Sequence, residues 1–460
     1  MKIKLLILLI LALFLISGLI FINRSIVEND EGIYWITFLL ANKGYKLYSE
    51  IAFSQLPGFF ISTYGIFKLF GSTIFAARLA VFYWSVLALL SVVWLGYIRK
   101  NILFSLVSIV LLIAIPTFFN QSITLQSDIV AASFSTLGFV FMMSFINNKF
   151  STSSNSKPSY VRLILSSLFF SFALLTKFDY SLVIPFGFIL LTQKKNRIPN
   201  IFLFAASSIF TIFVTLNFFG IDVVLSNVLT LREKALTVYP FEPFKVFEYL
   251  KKDTLLLTLI LVNIFYSVFK FRKGITFLSL LLWFISSLLL VFSFRPLFSH
   301  HLVFLTVPTV LLFSNQFTSI KRLIEVRVII ILIIGILGFT YNFSQLSSRQ
   351  KSNFIREREV AKKFILENTN NSDLIITDEA ALYGMTNRLP PPELVDLSYV
   401  QIRSGNITSE KFQSAIEKYK PKLIIVWNGR LKEINNLEYL TAAYYRIIYS
   451  SNGKLIFKLD

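Results

Sequence analysis

Runs of 15 to 20 almost uncharged apolar residues recur along most of the chain, and this repetition restricts the fold more than any motif. A helix that crosses the hydrocarbon core of a bilayer needs about 20 such residues. One soluble core could not absorb so many runs together with fifty phenylalanines in 460 residues. The composition agrees: 55% of residues are hydrophobic and 15% charged, against about 25% charged in soluble domains. Hydropathy places about eleven spans, near 4–22, 73–98, 102–117, 128–146, 161–176, 180–193, 200–219, 254–269, 275–294, 300–314 and 328–343. The fifth and sixth are short and, joined by Lys177-Phe178-Asp179-Tyr180, suit a hairpin that does not cross fully. The expected fold is mainly α, a polytopic membrane helix bundle.

The net charge of +20 would favour nucleic-acid binding in a soluble protein. Here the cations follow the topology, so membrane lipids rather than nucleic acid are the expected surroundings. Alternating the spans puts sixteen Lys and Arg residues, from Lys2 to Arg327, in cytoplasmic segments against one acid, Glu325. The longest opposite loop, Gly220 to Asp253, carries five basic and five acidic residues. The positive-inside rule then sets the N-terminus in the cytoplasm and the C-terminus outside a plasma membrane. The first run follows Lys2 and Lys4 and has no small-residue cleavage site, which predicts an uncleaved helix. Cysteine is absent, so disulfides and thiolate metal sites do not arise.

Two regions fall outside the spans. The first external loop, 23 to about 72, holds two short apolar pieces, Glu31 to Asn42 and Phe59 to Phe70, suited to lying on the outer membrane face. Asp30 is the expected N-cap of the first, and Gly44 follows its end. From Ser344 charged residues become frequent and short strands and helices alternate: helices near 355–368 and 408–419, strands at 374–377, 422–427, 446–449 and 455–459. The expected division is a transmembrane domain, 1–343, and a small extracytoplasmic α/β domain, 344–460.

Glu28, Asp30 and Glu31 cluster where the chain should leave the bilayer, and Asp128 opens the fourth span at the same level. Paired carboxylates at a membrane boundary suit a general base with a second acid that orients an acceptor or holds a cation. Capping of helix N-termini is the other reading of both. Glu31 fits the group as a first-turn residue or hydrogen-bond partner of the acid beside it. A cationic counterpart is Arg295-Pro296-Leu297-Phe298-Ser299-His300-His301, which contains the only two histidines. A guanidinium with neighbouring imidazoles suits a phosphate, whereas the histidines alone offer a metal too few ligands. Lys177 is a further external cation, with Asp179 as its expected local ion partner. No Walker loop, dinucleotide fingerprint or zinc-peptidase helix is present.

Taken in order, the Asp30-Glu31 pair, Tyr34, the stretch Lys43-Gly44-Tyr45-Lys46-Leu47-Tyr48, Pro57, Phe70-Gly71 and Ala77-Arg78-Leu79 resemble the membrane-embedded GT-C glycosyltransferases. The likeness is to the bacterial and archaeal branch related to protein O-mannosyltransferases and aminoarabinose transferases. Thr377-Asp378-Glu379 and Arg388-Leu389-Pro390-Pro391-Pro392 are similar to the exported part of such proteins. The resemblance implies a polyprenyl-phosphate sugar as donor and a glycan, lipid or protein hydroxyl as acceptor. It also implies transfer on the outer face with inversion, Asp30 as base and Asp128 as second acid. Some relatives carry a lysine for the lipid phosphate where this chain has Gln55, so Arg295, His300, His301 or Lys177 must supply the charge. No cofactor is required, and a divalent cation remains compatible. The rival reading is a transporter or flippase of lipid-linked glycans, which would place its charges mid-membrane.

Overall fold

A computed structural model describes residues 2–147, 160–179, 191, 196–269, 274–318, 324–349, 353–442 and 444–460. The helices begin with α1 Lys2–Arg24, α2 Asn29–Asn42, α3 Pro57–Phe70, α4 Ile74–Ile98, α5 Ile102–Ala114, α6 Pro116–Ser122, α7 Ser127–Asn147 and α8 Tyr160–Thr176. They continue with α9 Arg197–Phe219, α10 Ile221–Val238, α11 Lys245–Lys252, α12 Thr254–Phe269, α13 Ile275–Ser293, α14 Val303–Thr318 and α15 Ile324–Arg349. The chain ends with α16 Asn353–Asn368, β1 Ile375–Thr377, α17 Ala381–Thr386, α18 Tyr399–Arg403, α19 Ser409–Tyr419, β2 Leu423–Val426, α20 Leu437–Ala442, β3 Tyr445–Ser451 and β4 Lys454–Leu459.

Six of the described helices are long and apolar enough to cross a membrane, or up to eight if each bent pair is one span. The bent pairs are α5 with α6, turning by 77°, and α11 with α12, turning by 115°. Pro116 explains the first bend: it opens α6 and holds Ile115 extended at ψ 118°, out of the helical region. The eleven expected spans are therefore not matched one for one. The sixth, near 180–193, lies outside the described residues apart from Leu191. The polytopic character is plain, because large apolar side chains such as Leu5, Leu8, Phe202, Phe218, Ile336 and Leu337 face outward, where only lipid makes exposure favourable.

Within the bundle α7 is the central helix, with 89% of its membrane-length window buried. Small residues let its neighbours approach. A Cβ added at Gly138 would meet the Phe170 ring at 3.0 Å, and Ser166 Oγ donates to the Gly138 carbonyl at 2.8 Å. One end of the bundle gathers Arg99 with Asn315, Asn101 with Thr318, and Arg162 with the Ser144 carbonyl. The other end carries the loops that build the site.

At that second end α2 differs from expectation. Its N-cap is Glu28, and Glu31 reaches back to accept the Glu28 N–H at 2.9 Å, so Asp30 sits inside the first turn. Nor does α2 lie exposed at the interface, since every residue from Glu31 to Phe38 is buried. The stretch Ile33-Tyr34-Trp35-Ile36 offers no polar face, as in a helix covered all round. The cover is α17: a Cβ on Gly32 would come within 2.6 Å of the Ala381 nitrogen, and one on Gly384 within 2.3 Å of the Trp35 ring.

The strands form one sheet in the order β1-β2-β4-β3. β1 and β2 are parallel, and the other pairs antiparallel. The β3–β4 hairpin turns at Asn452-Gly453, both with positive φ of 49° and 75°, the pairing that two-residue hairpin turns favour. Asp378, just past β1, accepts the backbone N–H groups of Trp427, Asn428 and Leu431 at 2.6, 3.0 and 3.2 Å. This clamp holds the loop after β2 against the end of β1.

Candidate active site

A cavity of about 440 Å³ opens where α2, α10, the turn before α14 and the C-terminal loops meet. Asp30, Lys177, Arg295, His300 and His301 all line it, so five residues singled out in the sequence converge although they span 271 positions (301 − 30). Its wall carries six Lys or Arg side chains: Lys177, Arg232, Lys245, Arg295, Arg403 and Arg430. Against them stand three carboxylates, Asp30, Glu242 and Asp396. Four of the six are paired, Lys177 with Asp128, Arg232 with Asp179, Lys245 with Glu242 and Arg403 with Glu433, which leaves Arg295 and Arg430 to meet an anionic guest.

Asp128 lies behind this wall, 1% exposed, with Lys177 Nζ 3.4 Å from each carboxylate oxygen. The charges of Asp30 and Asp128 both act on Tyr34, whose phenol is pushed well above its usual range by burial first and by these acids next. Asp128 does not itself line the cavity and meets it through Lys177. The expected local pair of Lys177 with Asp179 does not form. Residues two apart do not face each other along a helical turn, and Asp179 instead takes Arg232 through two hydrogen bonds of 2.5 and 2.6 Å.

Glu31 does not line the cavity. It is 0% exposed and receives Arg78 Nε and Nη2, each at 2.7 Å, with the Leu125 N–H at 2.6 Å. Arg78 also donates to the carbonyls of Ile22, Ser25 and Ile26. The pair ties α1, α2, α4 and the strap before α7 into one frame. With four donors around it, this carboxylate is part of the frame beneath Asp30, the hydrogen-bonding place that the sequence also allowed it.

The remaining residues come from parts of the sequence that carried no such signal. Arg430 donates to the side chain of Asn29 and to the Asp378 carbonyl, joining the sheet to the residue before Asp30. Asp396 is buried and accepts the Ser398 N–H at 3.0 Å and Gln401 Nε2 at 3.2 Å. Burial raises its pKa, the two hydrogen bonds oppose the rise, and the Asp30 charge adds to it. Gln55 lines the cavity without charge, and its carbonyl accepts the Tyr48 hydroxyl at 2.7 Å.

Asp128, His300 and His301 bring one carboxylate oxygen and two imidazole nitrogens within 4.8 Å of one another, donor types that suit zinc. Asp128 Oδ1 is buried and accepts no hydrogen bond, with His301 Nε2 at 4.0 Å. Two features oppose a resident ion. His301 Nδ1 accepts the Phe298 N–H at 3.2 Å, so the neutral ring carries its proton on Nε2, where a metal needs a lone pair. The Lys177 ammonium already neutralises Asp128. The group fits a divalent ion in type and spacing but not in protonation, and no step below uses one.

No protein-family model matches the chain, and no curated protein matches it in sequence. Solved structures do. The crystal structure of ArnT from Cupriavidus metallidurans bound to undecaprenyl phosphate superposes with a TM-score of 0.72 at 12% identity, covering 98% of this chain and 97% of that one. The oligosaccharyltransferase of Archaeoglobus fulgidus in complex with Zn and sulfate gives 0.54 at 13% identity, over 97% of this chain and 73% of that one. The archaeal oligosaccharyltransferase AglB from Archaeoglobus fulgidus, in complex with an inhibitory peptide and a dolichol-phosphate, gives 0.54 at 12%, over 98% and 74%. The fold is that of the GT-C glycosyltransferases, as the sequence resemblance implied. It is shared over nearly the whole chain.

Proposed function

We propose that this protein transfers a sugar from a polyprenyl-phosphate-linked donor to an acceptor hydroxyl on the outer face of the membrane. The observation that carries the reading is the cavity that half-buried Asp30 shares with Lys177, Arg295 and Arg430. Both kinds of structural neighbour hold a polyprenyl phosphate, undecaprenyl in one and dolichyl in the other, which supports a donor of this class. The N-terminus then lies in the cytoplasm, and residues 344–460 form an extracytoplasmic domain over the site.

In this reading Asp30 accepts the proton of the acceptor hydroxyl as its oxygen attacks the anomeric carbon. The bond from that carbon to the phosphate oxygen breaks, its electron pair leaves with the lipid phosphate, and the anomeric configuration inverts. Arg295 and Lys177 meet the charge that gathers on the departing phosphate, where fixed positive groups count most. Asp128 holds the Lys177 ammonium in place and also turns its own charge from the phosphate. No nucleotide is needed, because the leaving group already is a phosphate.

Release of undecaprenyl phosphate from a panel of undecaprenyl-phosphate sugars by the purified protein tests this directly. A transporter moves such a lipid without cleaving it. Asp30→Asn keeps the size and the helix turn but cannot take the proton, so release should fall roughly a hundred-fold or more. A folded Asp30→Asn protein with near-normal release removes Asp30 as the base and leaves it a first-turn dipole residue.

A further inference from the structure

The two bent pairs of helices meet at one side chain. Asp253 is the single residue between α11 and α12, where the chain turns by 115°, and it is 3% exposed. Its Oδ1 accepts the Leu256 N–H at 3.1 Å, the bond of an ordinary N-cap on α12. Its Oδ2 accepts the Thr117 N–H of α6 at 2.9 Å, 136 positions away, just past the 77° bend between α5 and α6. A broken helix leaves backbone groups unpaired on both sides of the break, and inside a membrane bundle no water satisfies them. Asp253 takes a donor on one side of this break. On the other, Asn342 of α15 donates through Nδ2 to the carbonyls of Ile113 and Ala114 at 3.2 and 3.3 Å. The break is therefore a held feature of the bundle and not a loose joint.

The helices that Asp253 joins lead to different parts of the cavity wall. α6 runs through the strap to Asp128, which holds Lys177. α11 contributes Lys245 and Tyr249 to the lining. The Tyr249 hydroxyl also donates to the Leu297 carbonyl at 3.4 Å, in the turn that begins at Arg295. Both helices pack against the short helical turn Ser299–Leu302, which carries His300 and His301. One carboxylate thus links the support of Lys177 to the support of Arg295.

We infer that Asp253 is a positioning residue for the phosphate side of the cavity: by tying α6 to α11 it fixes Lys177 and Arg295 at the spacing that receives the donor phosphate. The inference rests on the transfer reaction proposed above and adds to it a residue outside the cavity. A wall set in advance need not be ordered when the lipid arrives, and binding is tighter by that difference. If Asp253 only capped α12, asparagine would serve as well, since the two rank alike at that position. Asparagine has one oxygen, however, and turns an NH2 group toward the second N–H. The Leu256 bond holds the plane of the carboxylate that reaches Thr117, so losing either bond loosens the clasp.

Spin labels test the clasp directly, because the chain has no cysteine of its own. Labels on Asn120→Cys in α6 and Lys251→Cys in α11, in the full-length protein in detergent, should give one narrow distance by double electron–electron resonance. Asp253→Asn should broaden or shift that distance. In the unlabelled protein it should weaken binding of undecaprenyl phosphate about three- to ten-fold, the worth of one hydrogen bond. Asp253→Ser, which also caps α12 with a single acceptor, gives the same test if asparagine prevents folding. An unchanged distance in the folded variant overturns the clasp. A lower thermal midpoint with unchanged lipid affinity is the purely structural result and overturns the positioning role. A wild type that does not bind undecaprenyl phosphate defeats the donor reading instead, and the unsubstituted protein alone shows it.

Discussion

Replacing Glu31 by glutamine separates a chemical acid from a structural one. Glu31 accepts four hydrogen bonds, two from Arg78, one from Leu125 and one from Glu28, at 2.6 to 2.9 Å. Glutamine keeps the shape but turns an NH2 group toward one of these donors and leaves the Arg78 charge, 1% exposed, without a counterion. Removing one partner of a buried pair costs about 3–5 kcal/mol, a large part of the margin that holds a folded protein together. Heating aliquots in detergent and measuring the monodisperse fraction by size exclusion should therefore show a much earlier loss for Glu31→Gln. The double variant Glu31→Gln with Arg78→Met removes the stranded charge and should recover much of the loss, since coupled neighbours are not additive. A Glu31→Gln protein with the wild-type thermal profile and transfer reduced a hundred-fold would falsify the structural reading and return Glu31 to the chemistry.

Gly32→Ala would force a Cβ to 2.6 Å from the Ala381 backbone. Overpacking of this kind costs about 1–3 kcal/mol, and limited proteolysis should cut the C-terminal part faster than in the wild type. Arg295 stacks over Phe241 with its guanidinium 4.9 Å from the ring. Arg295→Lys keeps the charge but loses the planar two-pronged donor, so the KM for donor should rise; an unchanged KM in Arg295→Ala places the phosphate elsewhere. Treatment with EDTA should leave transfer unchanged, because His301 carries its proton toward Asp128, and loss of activity restored by a divalent ion would overturn that assignment.

The bundle was legible in the sequence because lipid imposes a simple rule: a helix that crosses it must be a long apolar run. The strands near 375–377, 423–426, 445–451 and 454–459 were legible too, through short β-branched runs bounded by polar turns. What the sequence did not disclose were partners chosen in three dimensions. Lys177 looked paired with Asp179 but takes Asp128, 49 positions away, while Asp179 takes Arg232. Arg78 offered a clue, since a cation a few residues into an apolar 25-residue helix demands a buried acid, and Glu31 is that acid. The apolar circumference of α2 likewise pointed to burial on all sides rather than to an interfacial helix. Asp396, Arg403 and Arg430 carried no local signal, because what makes them part of the cavity is the docking of the sheet onto α2.

That docking makes the cavity a property of the whole fold. Arg430 grips Asn29 across 401 positions of chain, and α17 closes over the helix that carries Asp30. Asn29 and Asp30 come from α2, whereas Asp396, Arg403 and Arg430 come from the part that packs over it. A chain in which that part is unfolded would keep Asp30 but lose three charged groups of the cavity wall.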